Sequence, residues 1–370
     1  MSDPNTIHIL SLDGGGERGY LSTQFLAKFV QLWGADPAKL FEQFDVICGT
    51  SVGGILALSL AFGKSINDGA AFFTDQGPYI FSLGTSGIPP PITPPTPLIR
   101  PNAIEKAALL AADIPFYQSS GTYAAEYGAG LLTATIEGEF GTNTLQELKT
   151  NVIIPSYEYD TNKYVLFSNL LYPDFIGQNE LISNVALATA AAPAYLPPKV
   201  FNSHTYLDGG IYQNNPSSFG RTLAQIIKPT ASRCCVLSMG TGLGEEGFDP
   251  GSPLMRDGRV DDLISSMPYF QSMMEDPTLQ AFNTIATLFQ LFGISQRGGQ
   301  ESVAKNMFLE STYALNQFYY YRFQPLLDPN IDTELDNADP ATLEYYDTVA
   351  DDYFNNDIQN ISAFLGHLTA

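Results

Sequence analysis

The sequence predicts an α/β fold with a mostly parallel central sheet. Short apolar runs at residues 7–12 and 44–48 read as buried strands. Each runs into a glycine-rich turn and then into an apolar stretch of helical character. Strand, turn, helix, strand, turn, helix within the first 62 residues is the repeating unit of a parallel sheet.

Taken in order, the elements follow from local pattern. After Gly19, the apolar residues Leu21, Phe25 and Phe29, with Leu26, Val30 and Trp33, fall at helical spacing until Gly34 stops them. Residues 55–62 are apolar on nearly every side, which predicts a buried helix. Residues 84–101 hold Gly-Ile-Pro-Pro-Pro and Pro-Pro-Thr-Pro, which exclude regular helix and sheet and leave a surface loop or a lid. Residues 151–159 and 164–169 flank Asp160-Thr161-Asn162 as one hairpin, and 200–201 and 205–207 flank Asn202-Ser203 as a second. Between them, 181–192 is a small-residue helix ended by Pro193, Pro197 and Pro198. Residues 233–239 and 319–324 read as further strands, and 342–365 as one or two acidic amphipathic helices. No repeat or linker divides the chain, so a single domain over 1–370 is expected, with a core over about 7–325 and an acidic helical segment over 326–370.

Composition narrows the function. The net charge is −22, yet only 15% of residues are charged, so the acidity reflects a shortage of Lys and Arg. Such a chain repels phosphate backbones and gains nothing from anionic bilayers, so nucleic-acid partners and polybasic membrane anchoring are excluded. No basic n-region with an apolar h-region opens the sequence, and no apolar run approaches the ~20 residues that span a bilayer. The expectation is a soluble protein, cytoplasmic or exported without a recognisable signal peptide, whose membrane contact is peripheral. Cys48, Cys234 and Cys235 form neither a disulfide framework nor a zinc spacing, and no metal or cofactor is expected.

Three motifs carry chemistry. Gly49-Thr50-Ser51-Val52-Gly53 is a G-x-S-x-G between a strand and a buried helix, the context in which a tight turn lifts a serine hydroxyl above a sheet edge. That makes Ser51 the candidate nucleophile, with the helix N-terminus beside it favouring an oxyanion. Asp13-Gly14-Gly15-Gly16-Glu17-Arg18-Gly19 strings together glycines whose N–H groups can cradle an oxyanion or a phosphate. It also satisfies G-x-G-x-x-G, but the second strand ends in the serine elbow instead of the acidic residue a dinucleotide site needs. Asp208-Gly209-Gly210 puts a carboxylate at a strand end, able to take a proton from Ser51 directly. His8, His204 and His367 are the three histidines, so a Ser51–Asp208–His367 triad is formally available.

Together and in this order, the three motifs resemble the patatin-like phospholipase family, which pairs a D-G-G-G-x-R-G loop with a G-x-S-x-G elbow and a D-G-[GA] aspartate. The stretch from Ala188 to Pro198, Asn214-Asn215-Pro216 after the aspartate, 237–242 (Leu-Ser-Met-Gly-Thr-Gly), Tyr321-Arg322-Phe323-Gln324 and 335–338 extend the resemblance over about 7–351. The resemblance implies a three-layer α/β/α fold and a metal-free lipid acyl hydrolase acting on phospholipids, galactolipids or simpler esters. It implies Ser51 as nucleophile, Asp208 as base, Gly14, Gly15 and Gly16 as oxyanion donors with Arg18 anchoring their loop, and the Val52 N–H as a further donor. Two departures stand out: Glu17 fills a position where members often carry an apolar residue, and 84–101 has no counterpart. A storage or lipid-binding relative with weak catalysis, and an effector silent until a protein partner activates it, are the alternatives.

Overall fold

The computed structural model describes residues 5–80, 130–193, 195–243, 277–314 and 317–369. The proline-rich 84–101 stretch lies outside them.

Strand β1 (Thr6–Leu12) is buried along its whole length at the centre of the sheet. On one side it pairs in parallel with β2 (Val46–Gly49), and on the other with β8 (Arg233–Met239). Outward from β2 come β3 (Asn151–Glu158), β4 (Lys163–Phe167) and β5 (Phe175–Ile176), and outward from β8 comes β9 (Phe318–Phe323). The β1–β2, β2–β3, β1–β8, β8–β9 and β4–β5 pairs are parallel, and β3–β4 is an antiparallel hairpin. The expected mostly parallel sheet is what forms.

Strand β3 has two partners on one side. Its first half, residues 151–153, pairs with β2. Its second half, residues 156–158, pairs with β7 (His204–Asp208), which forms a hairpin with β6 (Lys199–Phe201). The β6–β7 turn holds Asn202 and Ser203, both with positive φ (50° and 65°), the left-handed pair that the tightest hairpin turn requires.

Alternation along the central strands builds two cores. Leu10, Leu12, Ile47, Leu237 and Met239 face one side; Ile7, Ile9, Val46, Cys48 and Val236 face the other. The first side is covered by α1 (Gly19–Trp33), α2 (Val52–Phe62), α3 (Ile66–Ala71), α4 (Gly130–Phe140), α5 (Ile182–Thr189) and the C-terminal helices. The second is covered by α6 (Ser217–Ile227) and the 37-residue α7 (Pro277–Tyr313). This is a three-layer sandwich, in which each fully buried Leu, Ile or Phe contributes about 1.5–3 kcal/mol.

The acidic C-terminal stretch forms two helices, α8 (Pro340–Asn356) and α9 (Ile358–Thr369), broken at Asp357. They belong to the core: Tyr346 is fully buried, and Phe25 of α1 packs edge-on against Tyr353 and Phe354. Among the described residues, no helix is long and apolar enough to cross a membrane.

Candidate active site

Ser51 sits between the end of β2 and the start of α2, at φ 55°, ψ −129°. That conformation costs a non-glycine residue about 1–3 kcal/mol and persists only where its surroundings enforce it. They do so here. Thr50 N–H donates to Leu12 O at 3.1 Å, and Thr50 Oγ1 donates to Gln213 O at 2.8 Å. Ser51 N–H donates to Thr189 Oγ1 at 3.0 Å, and that hydroxyl donates to Pro155 O at 2.6 Å. The two elbow glycines are there for close approach: a Cβ on Gly49 would meet Gly53 O at 2.1 Å, and one on Gly53 would meet Leu12 O at 2.3 Å.

Asp208 ends β7, where it stands opposite Ser156 of β3, and is fully buried. Its N–H donates to Ala191 O at 2.9 Å, and its Oδ1 accepts from Gly210 N–H at 2.6 Å. Burial pushes its carboxyl pKa up to about 7; the Ser51 hydroxyl and the Gly210 N–H act in the opposite sense. Ser51 therefore lies near enough to interact, although Oδ2 makes no well-aligned hydrogen bond among the described residues. Catalytic hydrogen bonds often tighten only when substrate is bound.

The glycine loop is tied down from three sides. Asp13 N–H donates to Met239 O at 2.9 Å, and Asp13 Oδ2 pairs with Arg322 Nη2 at 2.7 Å. Arg322 also donates from Nη1 to Ser238 Oγ at 2.8 Å. The Gly14 carbonyl accepts from Asn214 Nδ2 (3.1 Å), Thr241 Oγ1 (3.0 Å) and Gln300 Nε2 (3.4 Å). Gly14 N–H, an expected oxyanion donor, donates to Asn214 O at 3.2 Å in this structure. The N–H groups of Gly15 and Gly16 donate to no carbonyl among the described residues. Val52 N–H opens α2 next to Ser51. Arg18 N–H closes on Gly15 O at 3.1 Å, and its side chain lines a small cavity with Asn214, Gln296 and Gln300 on the α7 side of the loop.

Arg322 and Asp13 are nearly buried as a pair, with side-chain exposures of 10% and 0%. Removing one member of such a pair typically costs about 3–5 kcal/mol, because the other stays buried without its partner. Arg322→Met is expected to lower the free energy of unfolding by that amount, read from the denaturant midpoint.

A cavity of about 50 Å³ opens beside Ser51. Its walls are mainly apolar, formed by residues such as Val52, Ile55, Phe73, Leu132 and Leu196, with Glu17 and Gln296 among its few polar side chains. Glu17, the departure noted in the sequence, is fully buried, and its carboxylate lies against Gly77.

The histidines stand apart from Ser51. His8 is buried in β1, with its N–H on Asp45 Oδ2 at 2.8 Å. His204 pairs with Glu158 on the outer hairpin. His367 stacks on Tyr319 of β9 at 3.7 Å between centroids. Tyr319 stands opposite Cys235 near the start of β8, whereas Ser51 lies just past the C-terminal end of β2. His367 therefore lies toward the opposite end of the strands from the elbow, away from Ser51 and Asp208. Gln296 and Gln300 lie outside every motif read from the sequence, and Thr189, Asn214 and Thr241 fall in stretches of the resemblance that carried no site role; tertiary contact brings each of them to the site.

A profile of the Patatin-like phospholipase family matches residues 10–218. A cGAMP-activated phospholipase of Vibrio cholerae serotype O1 is 34% identical over 259 residues, covering 65% of this chain and 66% of that protein. A cGAMP-activated phospholipase of Pseudomonas aeruginosa is 31% identical over 275 residues, covering 72% and 73% respectively. Patatin-like protein 1 of Oryza sativa subsp. indica is 29% identical over 272 residues, covering 64% and 58%. The chain thus spans between about half and three quarters of the length of the curated relatives it matches.

Proposed function

This chain belongs to the Patatin-like phospholipase family, and from that premise we propose that it is a lipid acyl hydrolase working through a Ser51–Asp208 dyad and an acyl-enzyme. The observation that carries the reading is the meeting of a strained elbow serine with a buried carboxylate whose pKa is raised to about 7. In the proposed sequence, Asp208 takes the Ser51 proton as Oγ attacks the ester carbonyl. The N–H groups of Gly15, Gly16 and Val52 hold the oxyanion. As the tetrahedral intermediate collapses, Asp208 returns the proton to the leaving alcohol. Water, deprotonated by Asp208, then attacks the acyl-enzyme, and the fatty acid leaves with Ser51 restored. The apolar walls beside Ser51 suit an acyl group, and the net charge of −22 favours neutral or zwitterionic lipid over anionic lipid.

A base works only when deprotonated, and its strength is best matched to the medium when its pKa lies near the working pH. With Asp208 at about 7, kcat/KM is expected to rise through about pH 7 and level off above it. Hydrolysis of a short-chain ester and of phosphatidylcholine vesicles between pH 5 and 9 checks this. A flat profile, or no hydrolysis of either substrate under any condition, would remove the dyad reading.

The names of the bacterial relatives favour a second element: turnover that depends on a nucleotide activator. The same assay with and without cGAMP tests it. Activity that appears only with the nucleotide supports gating by a small molecule, and activity that needs added cell protein supports a protein activator.

A further inference from the structure

Helix α7 lies outside the matched residues 10–218, yet one of its faces reaches the reacting groups. Ser295 donates to Ile211 O, just beyond the Asp208-Gly209-Gly210 turn, and Gln300 donates to the Gly14 carbonyl at 3.4 Å. These two bonds already fasten the helix to the aspartate turn and to the glycine loop. Gln296, on the same face between them, is 4% exposed, makes neither of those bonds, and lines the cavity beside Ser51.

Its amide is close to the dyad. A Cβ on Gly210 would lie 2.8 Å from Gln296 Nε2, 2.9 Å from Asp208 Oδ1 and 3.0 Å from Asn214 Oδ1, so three polar atoms converge on one α-carbon. Asn214 Oδ1 is buried and has no hydrogen-bond partner among the described residues. Nor is it remote from the nucleophile: a Cβ on Gly14 would meet Asn214 Oδ1 at 2.3 Å and Ser51 Cβ at 2.9 Å. A neutral donor and a neutral acceptor thus stand beside the carboxylate. Between Asp208 and the acyl carbon must pass first the leaving alcohol oxygen and later the attacking water oxygen.

We propose that Gln296 positions that oxygen, with Nε2–H donating to the leaving alcohol during acylation and to the water that takes its place during deacylation. The proposal rests on the hydrolase reading above. Gln296 moves no proton: Asp208 carries the Ser51 proton to the alcohol oxygen as the C–O bond breaks, and takes one proton from water in the second half. Asn214 Oδ1 completes the site by accepting the second hydrogen of that water.

Two variants test this. Gln296→Ala is expected to lower kcat on alkyl esters about ten- to a hundredfold, the loss of one hydrogen bond to a charged oxygen. Labelling of Ser51 by a fluorophosphonate should stay at the wild-type rate, because fluoride departs without a proton. Gln296→Glu, which sets a second negative charge beside Asp208, should move the pH midpoint of kcat/KM upward, because like charges disfavour ionisation. The Gln296→Glu shift checks only that residue 296 lies beside Asp208, whereas a merely structural role would slow labelling and turnover of Gln296→Ala in parallel, and that result overturns the proposal. Wild-type turnover in both variants does the same. If the wild-type protein neither labels nor hydrolyses any ester, it is the hydrolase reading that fails, and this proposal falls with it.

Discussion

Ser51→Ala is expected to lower ester turnover by about four to six orders of magnitude, the scale seen when a serine hydrolase loses its nucleophile. The two neighbouring threonine hydroxyls are already engaged. Thr50 Oγ1 is held on Gln213 O, and Thr189 Oγ1 is held between Pro155 O and the Ser51 N–H. What remains is the rate that oxyanion donors and binding alone can give. Ser51→Gly is the informative companion. It should be as inactive, yet more stable by about 1–2 kcal/mol, because glycine adopts φ 55° without the penalty serine bears. Turnover and thermal melting of both variants check the pair.

Asp208→Asn is expected to cut kcat by about 10²–10⁴, the contribution of a general base. It should also stabilise the fold at alkaline pH. The folded-state pKa is about 7, well above the unfolded carboxylate value. Between those values the folded protein holds a proton that the unfolded chain has released. Stability therefore falls as pH rises across that window, and the penalty is complete above about 7. Its ceiling is about 4 kcal/mol for a shift of this size. Asparagine keeps an oxygen for the Gly210 N–H and carries no charge, so the variant escapes the penalty. Melting curves at pH 4 and pH 8 decide the matter: the two proteins should be similar at the lower pH, and the variant clearly more stable at the higher. A variant less stable at both would mean that the carboxylate is held by a cation outside the interactions described.

Much of this was legible in the residues. The spacing of Leu21, Phe25 and Phe29 returns as α1 with the predicted ends, and residues 233–239 return as β8 with no shift. The Asn202-Ser203 turn is written in two residue types that tolerate left-handed backbone. The elbow was legible too, because its glycines answer a local steric demand. Long-range register was not. Nothing near Asp208 says that β7 will pair with Ser156–Glu158, and nothing near Gly14 says that its carbonyl will collect Asn214, Thr241 and Gln300. Helix α7 is hidden for another reason. Gly293, Gly298 and Gly299 lower its local helix propensity by about 1 kcal/mol each relative to alanine, so tertiary packing must hold it. Space does not demand glycine there: a Cβ on Gly299 would make an ordinary contact with Tyr212 O at 3.7 Å, and one on Gly298 would meet nothing within 4 Å.

Strand β3 works as a gauge block for the proposed dyad. Its first half fixes the strand that ends in the serine elbow, its second half fixes the strand that ends in the aspartate, and Pro155 between them takes the hydroxyl that props the elbow. The spacing from nucleophile to base is thereby indexed on one short covalent segment. It does not depend on the length of chain running from 63 to 150, whereas 159–203 contributes the Thr189 hydroxyl and the Ala191 carbonyl to the same frame. The connection from 63 to 150 can lengthen or shorten while Ser51 and Asp208 keep their separation.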